Sequence, residues 1–228
     1  MITRRTAGAA LIRVTCLVAV VATVGGLALA CSRQEAVKPA EPPGPPPDPT
    51  TMAVVSGRVA GAKPGTIVAI VPQQAGPPAA AVNAPVMDQV QMSFLPGLLV
   101  VEAGLPVSFH SSDSELHNVN VQRPGNRFPE FNRSVPPGVS FEHTFKDTGF
   151  YSVRCDIHPE MTAEIFVAAT PFATSVDDDG AFRFEHVSPG RYTLTIYTGL
   201  TSADQMIDVV AGENRIAPAR TGPADTPP

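Results

Sequence analysis

Cys155, His158 and Met161 stand three residues apart in the stretch "RCDIHPEM". They bring a thiolate, a neutral imidazole and a thioether into one short loop. Two imidazoles, one thiolate and a weak thioether make up the ligand set of a blue-copper electron-transfer site. The loop supplies one imidazole, so the second must come from elsewhere. His117, in "SELHNV" and thirty-eight residues before Cys155, is the best source. It follows a Ser/Asp-rich loop and opens the predicted strand "NVNVQ". Pro159, directly after His158, restricts the backbone of the loop. A stiff loop holds its donors still through a change of oxidation state, which is what electron transfer requires.

Plainer roles compete for the same residues. A lone cysteine is most often a buried, inert thiol, and methionine is a common core filler. Each reading is the ordinary one for its residue alone. The three donors at these offsets, with a histidine upstream, favour a metal. Of the three cysteines, Cys16 lies in an apolar N-terminal segment and Cys31 at its end, so only Cys155 belongs to the folded region. A disulfide framework is therefore not expected. His110 alternates with Phe109 and is expected to face solvent. His143 shares a face with Val139, Phe141 and Phe145, and reads as an interior histidine or one near a domain contact. His186 ends the strand "FRFEHV". None of the three is assigned to a metal, and Tyr151 and Tyr197 read as sandwich core.

What is missing narrows the chemistry. A binuclear copper centre needs a second cysteine in the loop, and multicopper oxidases need His-x-His pairs; the chain has neither. Too few histidines remain for a second, catalytic copper. No Gly-rich phosphate loop, HExxH or Gly-x-Ser-x-Gly occurs. No enzymatic activity is expected.

Elements that could position these donors are β-strands. From Val54 onward, short runs rich in β-branched and aromatic residues alternate with Gly, Pro, Asp and Ser turns, and no useful helical period occurs. Many short strands at turn-marked spacing indicate an all-β sandwich or barrel. In "FYSVRC", Tyr151, Val153 and Cys155 share one face, so Cys155 ends a strand on its inward side. The segment "DDDGAFRFEHVSPGRYTLTIYTG" with the strand near Met206 makes only about three strands, too few to stand alone. The early strands "VVSGRVAG" and "GTIVAIVP" can complete them, the alternative being that they belong to the central domain. The expected organisation is a smaller split sandwich from residues 53–75 plus 170–212, with a domain at 85–168 inserted into it. Residues 213–228 read as a disordered tail.

Ahead of these lies an export segment. Arg4, Arg5 and Arg13 precede "VTCLVAVVATVGGLALA", which carries no charge. Residues 1–30 read as a signal peptide, with Ala28-Leu29-Ala30 as a small-x-small cleavage site. They also resemble a lipoprotein signal, which would make Cys31 a lipidated first residue and a membrane tether. An uncleaved anchor is the third reading, since about 17 apolar residues is near the lower limit for a span. All three send the rest of the chain out of the cytoplasm, to the periplasm or a membrane surface facing it. Residues 31–52, with "KPAEPPGPPPDPT", form a proline-rich extended linker. The chain is formally −5, and residues 1–30 hold three arginines and no acid, leaving −8 for the remainder. That acidity excludes nucleic acid as a partner and suits steering toward a basic one.

"HNV" followed at this distance by "CDIHPEM" resembles the cupredoxins, the type 1 copper proteins. The short Cys-x-x-His-x-x-Met spacing is similar to the amicyanin and plastocyanin-like members of bacterial methylamine-utilisation type. Upstream, "MDQVQMSFLPGLLVVEAGLPVSF" resembles the first half of that domain. The likeness spans roughly residues 86–168 and implies a Greek-key β-sandwich holding one copper ion. It implies His117, Cys155 and His158 as equatorial ligands, Met161 as a weak axial one, and Asn118 as a tie between the His117 strand and the ligand loop. It further implies an apolar electron port at the exposed edge of His158, where Asp156 and Glu160 add unexpected acidity. Asp179 to Leu194, "DGAFRFEHVSPGRYTL", resembles the carboxypeptidase regulatory-like (transthyretin-type) sandwich, which has no catalytic residues of its own. The expected function is one-electron transfer between redox proteins, with copper delivery or buffering as the alternative.

Overall fold

The computed structural model describes residues 51–74, 84–217 and 219–220. Residues 1–50, which hold the expected export segment, Cys31 and nearly all of the proline-rich stretch, lie outside them. Strands β1 (Ala53–Ala60) and β2 (Ile67–Pro72) come first. The inserted region holds β3 (Val86–Val90), β4 (Ser93–Leu95), β5 (Leu98–Glu102), β6 (Pro106–Ser111), β7 (His117–Gln122), β8 (Phe131–Val135), β9 (Ser140–Thr144), β10 (Gly149–Arg154) and β11 (Thr162–Ala168). Then follow β12 (Ala173–Ser175), β13 (Ala181–Val187), β14 (Gly190–Thr198), β15 (Thr201–Val209), β16 (Gly212–Arg215) and β17 (Ala219–Arg220). The described part of the chain is all-β, and none of its helices is long and apolar enough to cross a membrane.

Two sandwiches result. In the first, the sheet β4-β3-β6-β9 faces the sheet β5-β11-β10-β7-β8. The chain passes back and forth between them, with parallel pairs β3/β6 and β5/β11 among antiparallel ones. Period-2 alternation fills the space between: Val107 and Phe109 of β6 meet Val119 and Val121 of β7, Tyr151 and Val153 of β10, and Ile165 and Val167 of β11. Cys155 and Met161 belong to the same buried cluster. In the second, β13-β1-β16 faces β12-β2-β14-β15, with Val55, Phe184, Ile70 and Leu194 in its core. The turn before β13 needs a glycine. Gly180 has φ +77°, and a Cβ there would stand 2.5 Å from the Val59 carbonyl oxygen.

One expectation is corrected. Residues 213–215 are no tail, because they belong to β16, which pairs in parallel with β1 from Ala53↔Gly212 to Ser56↔Arg215. "GENR" has no apolar alternation to announce a strand. Its order comes from the backbone ladder and from Asn214, whose amide donates to the carbonyls of Val54, Val210 and Gly212. β17 adds a second short pairing to β1.

The two sandwiches share a third buried cluster, in which Phe166 and Ala168 of β11 meet Ile67 of β2, with Leu98, Val100, Phe150 and Tyr197 packed around them. Tyr197 is thus an interface residue. Its ring lies 4.7 Å from that of Phe166, which lies 4.8 Å from Phe150. The outer face of β11 is therefore buried at Phe166 and Ala168, while Thr162 and Glu164 on the same face stay exposed. Phe166→Ala should cost about 3–5 kcal/mol. Because the lost contact spans both cores, denaturant unfolding followed by circular dichroism should keep a single transition at a lower midpoint. A second, unshifted transition would show that the sandwiches are independent.

Candidate metal centre

The donors collect at one end of the first sandwich. His117 is the first residue of β7 and is fully buried. Cys155 directly follows β10, and Met161 directly precedes β11. Those two strands are paired up to Arg154↔Thr162, so Cys155 to Met161 form a hairpin loop. Two backbone bonds brace it from within: Cys155 N–H donates to the Met161 carbonyl at 3.1 Å, and Met161 N–H to the His158 carbonyl at 3.0 Å.

His117 Nδ1 lies 3.0 Å from His158 Nδ1. Cys155 Sγ lies 4.0 Å from the first and 3.8 Å from the second. A metal bound at about 2.0 Å to nitrogen and about 2.3 Å to sulfur needs roughly 3.5 Å between nitrogens and roughly 3.8 Å between nitrogen and sulfur in a trigonal arrangement. The triangle matches this to within about half an ångström. One thiolate and two imidazoles with a nearby thioether suit copper. Met161 is buried in the cluster that holds Cys155. The structure therefore brings His117, Cys155 and His158 together and sets Met161 into the same wall. Cys31 is outside the described residues.

Asn118 does more than tie strand to loop. Its Oδ1 accepts the Asp156 backbone N–H at 2.7 Å and the Cys155 thiol at 3.3 Å. Its Nδ2 donates to Asp156 Oδ2 at 3.1 Å and to Asn132 Oδ1 at 2.7 Å. Asn120 and Asn132 also donate to the Asp156 carboxylate. Asn118 and Asn120 share one face of β7, and Asn132 lies opposite Asn120 in β8. Three carboxamides thus converge on one carboxylate. Their hydrogen bonds, Asn120 foremost and then Asn132, hold the Asp156 carboxyl below the ordinary carboxylate range, with Asn118 and the Arg154 charge adding to them. Asp156 is engaged by this clamp and by Arg154 Nε at 3.4 Å, while 45% of its side chain still meets solvent.

Asp113 is the residue that motif reading passed over. Its Oδ2 lies 3.1 Å from His117 Nε2. It accepts the Met92 N–H at 2.8 Å and the Ser114 N–H at 2.9 Å. The Met92 amide, then His117, keep its carboxyl below the usual range. The signal available was its place four residues before His117 in the Ser/Asp-rich loop.

The remaining histidines stand apart. His110 Nδ1 pairs with Ser140 Oγ at 2.7 Å. His143 lies 3.2 Å from Glu130 Oε1 and packs on the rings of Phe131 and Phe145. His186 is exposed.

Comparison with known proteins gives partial likenesses. The family model described as polysaccharide lyase family 4, domain II, matches residues 162–215. This covers the segment whose Asp179–Leu194 pattern resembles a regulatory-like sandwich. No curated protein matches the chain. Among solved structures, a reduced Cu(I) proline-to-glycine variant of amicyanin is 23% identical over 40% of this chain and 87% of its own, with a TM-score of 0.35. A purple cupredoxin from Nitrosopumilus maritimus is 23% identical over 37% of this chain and 99% of its own, with a TM-score of 0.33. A copper-containing nitrite reductase from Thermus scotoductus is 25% identical over 43% of this chain and 25% of its own, with a TM-score of 0.35.

Asp156→Ala should leave the buried amides of Asn118 and Asn120 short of an acceptor, at about 1–3 kcal/mol for such a group. Chemical denaturation of the metal-free chain should show the loss. Asp156→Asn should lose less, since it keeps one acceptor oxygen.

Proposed function

We propose that the chain holds one copper ion through His117, Cys155 and His158, with the Met161 thioether as a weak fourth donor, and passes single electrons between redox proteins. The observation that carries this reading is the triangle of two Nδ1 atoms and one Sγ, closed to 3.0, 3.8 and 4.0 Å in a buried wall. Copper in such a ligand set supplies one-electron chemistry between its monovalent and divalent states.

The protein's part is to keep the donors still and dry. The two backbone bonds inside the Cys155–Met161 loop fix its shape, and Pro159 removes one degree of backbone freedom. His117, Cys155 and Met161 are closed to solvent, whereas His158 is half-buried. Its edge is therefore the port for an electron. Leu116 and Ile157, each next in sequence to a histidine of the site, are 49% and 48% exposed. Glu115 and Glu160 are exposed beside them. Such a face suits a partner with an apolar spot and a basic rim. We place the working site outside the cytoplasm, on the strength of the apolar N-terminal segment and the single thiol of the folded region. The chain acts as a carrier and not as an enzyme.

Adding Cu(II) to the purified protein should produce an intense visible thiolate-to-copper band, and Cys155→Ser should abolish it. A colourless adduct would remove the carrier reading in favour of copper buffering. Met161→Ala should shift the reduction potential in cyclic voltammetry, and an unchanged potential and spectrum would deny the thioether its role. Ile157→Lys should slow electron exchange with a basic partner while leaving the band in place. An unchanged rate would move the port elsewhere.

A further inference from the structure

The geometry assigns to Asp113 the part of a positioning residue for this centre: its carboxylate turns His117 so that Nδ1 faces Cys155 and His158, and its charge favours the divalent state of the metal. The assignment rests on the copper reading above. A carboxylate only accepts hydrogen bonds. The proton of the His117 ring therefore sits on Nε2, 3.1 Å from Asp113 Oδ2, and Nδ1 keeps its lone pair. That nitrogen is the one 3.0 Å from His158 Nδ1 and 4.0 Å from Cys155 Sγ. His117 is fully buried and the Asp113 side chain is 13% exposed, so the imidazole is closed to solvent while the carboxylate reaches the surface at its outer edge.

Asp113 is itself aimed. Its own loop supplies the Ser114 N–H, and the turn between β3 and β4 supplies the Met92 N–H. That turn places two non-glycine residues in the left-handed region, Gln91 at φ +49° and Met92 at φ +57°. This conformation is uncommon for such residues, and it presents the Met92 amide to the carboxylate. The turn, Asp113 and His117 thus form one chain of hydrogen bonds from the rim of the sheet to the metal position. A negative charge at the outer nitrogen of a ligand imidazole strengthens its donation and steadies its orientation.

The test uses the full chain and two variants. Asp113→Asn keeps an acceptor oxygen and loses the charge, whereas Asp113→Ala loses both. Long-range nitrogen–proton NMR on the metal-free protein should show His117 protonated at Nε2 in the wild type and in Asp113→Asn, with that preference lost in Asp113→Ala. Zn(II) affinity, measured by chelator competition, should fall about 10- to 100-fold in Asp113→Ala. In the copper form, both variants should show a raised potential. A loss of the same size confined to the divalent state corresponds to about 60–120 mV, at 59 mV per tenfold change. A His117 ring protonated at Nδ1 in the wild type overturns the assignment. So do Zn(II) affinities and potentials that match the wild type in both variants. If the wild type gives no thiolate-to-copper band, the copper reading falls, while the NMR and Zn(II) measurements still decide the place of Asp113.

Discussion

The antiparallel register between β7 and β10 sets Arg154 opposite Asn120 and Val153 opposite Val121, and the candidate metal centre depends on it. Continued past the end of β10, the same register carries Cys155 toward Val119 and Asp156 toward Asn118. The odd-numbered residues of β7, His117 among them, then share the core face with Cys155. The even-numbered asparagines share the opposite face with Asp156. A slip of one residue exchanges the two faces of a strand. It would drive a carboxylate into the apolar core and turn the thiol away from both histidines. The Asn–Asp clamp penalises that slip directly, because three carboxamides find their acceptor only in the observed register.

Much of this was legible in residue order. The Cys155, His158 and Met161 spacing is local, and a hairpin loop keeps local spacing intact. The strands announce themselves by alternation, and the inward side of Cys155 follows from Tyr151 and Val153 in the same strand. Asp113, Asn120 and Asn132 were not legible, because polar residues beside turns have no period of their own and their partners arrive by tertiary pairing. The same physics hid β16: "GENR" is held by backbone ladder bonds and by Asn214, and not by an apolar face. The acidity of the ligand loop was legible, but its engagement was not: Asp156 stays exposed while its carboxylate accepts from Asn118, Asn120 and Asn132.

The second sandwich changes what the first can be. A free-standing sandwich of this size has an outer face on β11, β10 and β5 that meets water. Here Leu98, Val100, Phe150 and Phe166 cover that face with apolar surface, and Ile67 and Tyr197 meet it from across the interface. Thr170, buried in the connection between the two, donates to the Ile70 carbonyl and removes a polar group that would otherwise be stranded. The same two strands, β10 and β11, thus carry the ligand loop at one end and part of the apolar outer face that the second sandwich covers.

The strand pairings also carry a sense of time. β3 to β11 are contiguous, and the central sandwich can close as soon as they have been synthesised. β1 and β2 come earlier, yet Ala53 pairs with Val187 and Ile70 with Leu194. These two, the earliest strands among the described residues, find those partners only after more than a hundred further residues have followed. Chain order and pairing order are therefore opposed at the N-terminal edge, and the second sandwich can close only after the whole of the first has been made.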